Sequence, residues 1–144
     1  MYEGTGPIDY PQTWLGGIGD DWKDYAFESK IRIIKGGVFI LARAYQGRYF
    51  YNANLPDNGT ISLARWLNGQ YEVYQGTDYK IRKNIWYLVR VEIVGQKYSL
   101  YIDDNLVASY VHPDDSPIVQ GGIGYYISGG DKVQIDDVRV WALR

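Results

Sequence analysis

Apolar and polar residues alternate along this chain with a period of two, in short runs cut by turn-forming residues. No stretch holds the 3.6-residue period of a helix. Tyr25-Ala26-Phe27-Glu28-Ser29-Lys30-Ile31-Arg32-Ile33 has the alternation of a half-buried strand, and Gly36-Gly37 breaks it. Val38 to Ala44 reads as a more fully buried strand, closed by Gln46-Gly47. Arg48 to Asn54 follows, ended by Leu55-Pro56-Asp57-Asn58-Gly59. Within that segment Asn58-Gly59-Thr60 matches a glycosylation sequon but reads as an Asn-Gly turn. Thr60 to Leu67 and Gln70 to Tyr74 flank Asn68-Gly69, the signature of a tight hairpin. In Ile85 to Val94, Val89, Val91 and Ile93 share one face. Lys97 to Ile102, Leu106 to Val111, Gly121 to Ile127 and Lys132 to Ala142 complete the series. Nine or ten short strands at even spacing predict an all-β, two-sheet antiparallel β-sandwich.

The 144 residues show no composition break, so residues 1–144 are expected to form a single domain, with 1–19 as an extended N-terminal segment. There is no cysteine and one histidine, which excludes a disulfide framework and a thiolate or histidine-rich metal site. A formal net charge of −2 gives no basic excess for nucleic acid or an anionic membrane. No apolar run approaches the roughly 18 residues that span a bilayer. Met1 to Pro7 lacks the layout of a signal peptide and reads as the start of a domain excised from a larger multidomain protein. Aromatic residues stand out, at fifteen Tyr, five Trp and three Phe. They favour strands and mark binding faces when exposed. Trp14, Trp22, Trp86 and Trp141 read as core or edge-covering residues.

Several phrases, in order, resemble the concanavalin A-like lectin/glucanase (laminin-G-like) jelly roll. They are Trp22 to Ile33, Ile40-Leu41-Ala42-Arg43-Ala44, Ile61 to Trp66, Trp86 to Ile93, Tyr98 to Val107, Gly121-Gly122-Ile123-Gly124 and Ile135 to Val140. The likeness is greatest to levan-binding-type carbohydrate-binding modules and to the domain of 3-keto-disaccharide hydrolases. It covers about Asp20 to Trp141 and falls mostly on core and turn positions. The resemblance implies a domain that binds a polysaccharide or oligosaccharide, works outside the cell as part of a secreted or surface protein, and is monomeric.

Glycoside hydrolysis needs two facing carboxylates. The Glu-x-Asp-x-Glu strand of the related glucanases is absent, and the four glutamates are Glu3, Glu28, Glu72 and Glu92. Glu92 reads as an outward-facing surface group. The arginine-flanked glutamate strand and Gln-x-His pattern of the related alginate lyases are also missing. His112, before Pro113, reads as a surface or turn histidine. No catalytic residue is therefore assigned. Asp136-Asp137 breaks the alternation of Ile135, Val138 and Val140, which predicts a bulge. Related jelly rolls often hold a structural calcium there, and hard carboxylate and carbonyl oxygens suit that ion. Asp137 with carbonyls from the segment before Trp22 is the expected ligand set, against a plain pair of surface acids or a salt bridge.

Sugar recognition combines ring stacking with bidentate hydrogen bonds from guanidinium, amide or carboxylate groups. The candidates are Arg43, Tyr49, Tyr51, Asn54, Arg65, Trp66, Glu72, Tyr125 and Tyr126. The resemblance implies that Arg43, Tyr51, Arg65 and one of Tyr125 and Tyr126 share the outer, concave sheet face. It also implies an acidic–arginine–aromatic pocket, for which Glu72 is the nearby glutamate. Alternation sets Tyr49 and Tyr51 opposite Phe50, so either set is compatible with the core. The leading expectation is a non-catalytic carbohydrate-binding module. A small glycoside hydrolase or lyase of the same fold is the second. A structural or adhesion domain, with Tyr2 to Thr13 added to a neighbour's sheet, is the third.

Overall fold

The computed structural model describes residues 2–5, 12–14, 22–45, 48–57, 59–112 and 117–143, with backbone only for 2–5 and 12–14. Twelve strands form: β1 (Tyr2–Thr5), β2 (Gln12–Trp14), β3 (Tyr25–Lys35), β4 (Gly37–Tyr45), β5 (Tyr49–Pro56), β6 (Ile61–Leu67), β7 (Gln70–Thr77), β8 (Trp86–Val94), β9 (Lys97–Ile102), β10 (Asn105–Val111), β11 (Gly122–Tyr126) and β12 (Lys132–Ala142). They build two six-stranded sheets, ordered β1-β12-β3-β8-β9-β10 and β2-β11-β4-β5-β6-β7, and every pairing is antiparallel. The expected two-sheet sandwich is thus what the chain forms.

The alternation explains how the sheets meet. Phe27, Ile31 and Ile33 on β3, Val89, Val91 and Ile93 on β8, and Leu100 and Ile102 on β9 are buried. They face Val38 and Ile40 on β4, Ala53 and Leu55 on β5, and Ile61 and Leu63 on β6 in one cluster. Burying each such aliphatic side chain contributes about 1.5–3 kcal/mol. An exposed ion pair contributes at most about 1 kcal/mol, so the apolar faces decide the fold.

Turn chemistry fixes the register. Asn68 and Gly69 have φ of 52° and 79°, and Asp103 and Asp104 have 51° and 66°. Both pairs carry the positive dihedrals of a type I′ hairpin turn. The predicted bulge at the Asp pair is present: pairing of β12 with β3 shifts between Asp136 and Arg139, and Asp137 has a φ of 53°. Asn58 and Gln46-Gly47 lie outside the described residues.

Two strands went unanticipated. β1 pairs with β12 and β2 with β11, so both described pieces of the N-terminal segment extend this chain's own sheets. That corrects the expectation of a segment added to a neighbour.

One buried hydroxyl ties the layers together. Tyr25 Oη accepts the Arg43 N–H at 2.7 Å and lies 3.0 and 3.1 Å from the carbonyls of Gly121 and Gly122. Gly121, with a φ of 148°, leaves no room for a Cβ, which would collide with the Arg43 backbone.

Candidate functional site

The structure sorts the nine ligand-binding candidates into three places. Tyr51 and Tyr125 are core residues, at 0% and 3% exposure. Tyr51 lies in the apolar cluster, and Tyr125 Oη bonds Ser29 Oγ at 2.9 Å across the sandwich. A tyrosine is stable in a core when its hydroxyl finds a partner there, which is why this set turned inward. Arg43 is also buried, at 3% exposure. A bulge between Ala42 and Tyr45 gives it a φ of 48° and directs its guanidinium to Asp24 Oδ1 at 3.1 Å and the Lys23 carbonyl at 3.0 Å. Burial lowers its pKa, and Asp24 acts in the opposite sense. The expectation that Arg43, Tyr51, Arg65 and one of Tyr125 and Tyr126 share an outer face is therefore corrected for Arg43 and Tyr51, and of the two neighbouring tyrosines Tyr125 faces inward. Arg43 anchors the approach to β3, and the two tyrosines fill the interior.

A second set lies on the outer face of the sheet that contains β4 to β7. Cross-strand register puts Phe39 opposite Asn54 and near Tyr126, and Phe50 opposite Trp66, which is opposite Tyr71. Phe50 and Trp66 rings lie 6.5 Å apart and 18° from parallel, and Phe39 meets Tyr126 edge-on at 5.6 Å. Between these pairs Leu41, Asn52 and Ala64 form a buried floor. Asn52 donates its Nδ2–H to Tyr71 Oη at 3.1 Å, while its own Oδ1 has no hydrogen-bond partner. Tyr71 stays 43% exposed. The face therefore offers rings for stacking and amides for hydroxyl groups. Trp66, Asn54 and Tyr126 lie on it as expected. Phe50, Phe39, Asn52 and Tyr71 join them, and only their alternation with the buried tyrosines signalled that.

The third set lines the end of the β6–β7 hairpin. Arg65 Nη2 pairs with Glu72 Oε1 at 3.1 Å, and with Leu67, Asn68, Gln70 and Tyr71 they border a cleft of about 410 Å³. Tyr49 stands opposite Leu67 and stacks on Tyr45 at 5.6 Å. The acid and arginine do pair, but Arg65 stands opposite the core residue Tyr51 and not on the outer face with Trp66, which corrects the expectation that it shares that face.

Beneath the Arg65–Glu72 pair sits His112, 2% exposed, which corrects its reading as a surface or turn residue. Its ring stacks on Tyr51 at 3.7 Å and meets Tyr74 and Tyr110 edge-on at 4.9 and 5.2 Å. Among the described residues neither ring nitrogen has a hydrogen-bond partner. Burial, followed by repulsion from Arg65 and Arg43, pushes its pKa down to about 3. Tyr74 on β7 also stacks on Tyr110 of β10 at 4.5 Å, closing the open side of the sandwich.

At the candidate calcium position, Asp137 Oδ2 pairs with Lys30 Nζ at 3.1 Å and Asp136 Oδ1 accepts the Asp137 N–H at 2.9 Å. No third carboxylate or imidazole gathers with them among the described residues. The segment before Trp22 lies outside those residues. The visible donors fit a locked bulge better than an ion's coordination shell. Trp86 and Trp141, expected in the core or over an edge, are 37% and 39% exposed at strand ends.

These two sheets, with their strand order, form a jelly-roll β-sandwich of the concanavalin A-like type. Carbohydrate-binding module CBM66 from Bacillus subtilis superposes with a TM-score of 0.74 at 22% identity, over 83% of this chain and 76% of that one. A putative glycosyl hydrolase from Parabacteroides distasonis gives 0.68 at 10% identity, over 85% and 79%. Sheep galectin-11, in complex with glycerol, gives 0.66 at 11% identity, over 91% and 98%. At these identities the likeness is one of fold. No protein-family model matches the chain, and no curated protein does.

Proposed function

We propose that this domain is a non-catalytic carbohydrate-binding module whose glycan lies on the outer face of β4 to β7. The observation that carries the reading is the cross-strand Phe50–Trp66 pair beside the Asn52–Tyr71 hydrogen bond, with Asn54 on the same face. Rings take the apolar face of a sugar, and the amides and the Tyr71 hydroxyl exchange hydrogen bonds with its hydroxyl groups. Arg65 and Glu72 lie at the hairpin cleft on the other side of the sheet, with Tyr51, and stand outside that polar set. Arg43, Tyr51 and Tyr125 support the scaffold in this reading and touch no ligand. The fold likeness to a carbohydrate-binding module and to galectins supports the assignment.

The reading extends to a monomeric unit of a secreted multidomain parent, and calcium at Asp136 and Asp137 is kept outside it. Affinity electrophoresis against a panel of neutral polysaccharides tests the assignment. At least one is expected to retard the domain. Trp66→Ala should weaken that retardation about tenfold, since about 1.4 kcal/mol of lost stacking corresponds to that factor. Its melting temperature should stay near that of the unchanged protein. Absence of retardation by any glycan, or retardation indifferent to Trp66→Ala and Asn54→Ala, would overturn it.

A further inference from the structure

The rings on the outer face of the β11–β4–β5–β6–β7 sheet stand in two separate groups. Register sets the residues of that face in three parallel rows. The first row runs Tyr126, Phe39, Asn54, Ser62 and Gly76, and the second runs Gly124, Leu41, Asn52, Ala64 and Val73. The third holds Phe50, Trp66 and Tyr71. Rings occupy the first row only on β11 and β4, and the third only on β5 to β7. The bulge between Ala42 and Tyr45 takes β4 out of the third row, and Ser62 and Gly76 leave the first without a ring on β6 and β7. The two ring pairs, Phe39–Tyr126 and Phe50–Trp66, therefore lie diagonally across the sheet.

Strand geometry gives their separation. The pairs are offset along the strands by the step from Asn54 to Phe50, about 13 Å, and across them by two strand spacings, about 10 Å, so their centres lie about 16 Å apart. Between them Leu41, Asn52 and Ala64 are buried, and the Asn54 amide stands half-buried beside that row. Tyr71 Oη accepts the Asn52 Nδ2–H at 3.1 Å, which leaves its own O–H to donate outward. Among the described residues of the three rows there is no carboxylate, ammonium or guanidinium group.

Resting on the reading of this face as a glycan site, we infer that its ligand is a straight, neutral polysaccharide gripped over at least four consecutive sugars. Pyranose chains linked through equatorial bonds on both sides of each ring, the β-1,4 arrangement of glucans and mannans, advance by roughly one strand spacing, about 5 Å, per sugar. A separation of about 16 Å then takes three linkages, so the first and fourth sugars reach the two ring pairs. Phe50 and Trp66, 18° from parallel, make the broader platform, and a disaccharide settles there alone. Chains with an axial bond at each linkage coil and do not hold two rings at that distance. The uncharged rows favour neutral sugars, because a uronic acid would lose hydration there with no cation to meet it.

The test joins affinity electrophoresis to calorimetric titration. Hydroxyethylcellulose or glucomannan in the gel is expected to retard the domain, and dextran, amylopectin and polygalacturonate are not. In titrations with cello- and manno-oligosaccharides of two to six sugars, the tetraose of at least one series should bind about tenfold tighter than its biose, with little further gain at the hexaose. That series needs no variant. Phe39→Ala should bring the tetraose down to the affinity of the biose and leave the biose unchanged, a pattern that a general loss of folding does not produce. Trp66→Ala should weaken both. Equal binding of biose and tetraose, or a tetraose preference that survives Phe39→Ala, would overturn the inference. Retardation by dextran or amylopectin alone, lost in Trp66→Ala, would overturn it and leave the glycan-binding role standing, whereas retardation by no glycan would overturn both.

Discussion

Lowering the pH should destabilise this protein through a single side chain. His112 is the chain's one histidine and is 2% exposed, with no hydrogen bond to either nitrogen among the described residues. Burial, and then the nearby Arg65 and Arg43, lowers its folded-state pKa from 6.5 to about 3. The unfolded chain takes up a proton as the pH falls below 6.5, whereas the folded chain does not until about 3. The associated stability is therefore fully present above 6.5 and is lost progressively between those two values. In that window each pH unit removes about 1.4 kcal/mol, so pH 4.5 costs about 2.7 kcal/mol relative to neutrality. That is a sizeable part of a domain's typical net stability of about 5–15 kcal/mol. With an m-value of about 1–3 kcal/mol/M, the urea midpoint should fall by about 1–3 M. His112→Phe keeps an aromatic ring on Tyr51 and removes the titration. Because no hydrogen bond is lost, it should fold normally at pH 7.5. Urea melts of both proteins at pH 7.5, 6.5, 5.5 and 4.5 isolate the effect, since acids common to the two cancel in the difference. Equal slopes of stability against pH between 6.5 and 4.5 would refute the reasoning.

Tyr25→Phe should cost about 2–4 kcal/mol in urea melts, because it strands the Arg43 N–H and the carbonyls of Gly121 and Gly122 in the interior. Gly121→Ala should cost about 3 kcal/mol, combining an unfavourable φ with a clash against the Arg43 backbone, and circular dichroism melts would register it. A structural calcium at Asp136 and Asp137 would have to displace Lys30. Were it bound, adding calcium at a hundred times its Kd would stabilise the fold by about 2.7 kcal/mol, so identical melts in calcium and in EDTA would remove that expectation.

Backbone pattern carried most of the fold into the sequence. β3 and β8 are visible because their apolar residues recur at every second position. The hairpins are visible because Asn68-Gly69 and Asp103-Asp104 accept positive φ. The Asp136 bulge is visible because it breaks that rhythm. The site was less legible, for a physical reason. Alternation groups Tyr49, Tyr51, Arg65 and Leu67 against Phe50, Asn52, Asn54 and Trp66, but does not say which group faces inward. The answer depends on partners far away in the chain: Ser29 for the hydroxyl of Tyr125, and His112 for the ring of Tyr51. His112 itself looks like a loop residue because it precedes a proline, and only the Tyr74–Tyr110 contact between the two sheets reveals its pocket. Much of the aromatic excess therefore fills the interior, and a smaller part of it makes the exposed face.

The two N-terminal strands impose an order on synthesis. β1 and β2 precede the other described strands in synthesis, yet among these strands they pair only with β12 and β11, which follow all the rest. During elongation the remaining sheet strands can zip locally through hairpins such as β6–β7 and β8–β9, while β1 and β2 wait without a docking place. Those edges are then sealed late, by long-range pairings that are slow to form. A nascent chain stalled before β11 should therefore be protease-sensitive at β1 and β2 while its central hairpins already resist cleavage.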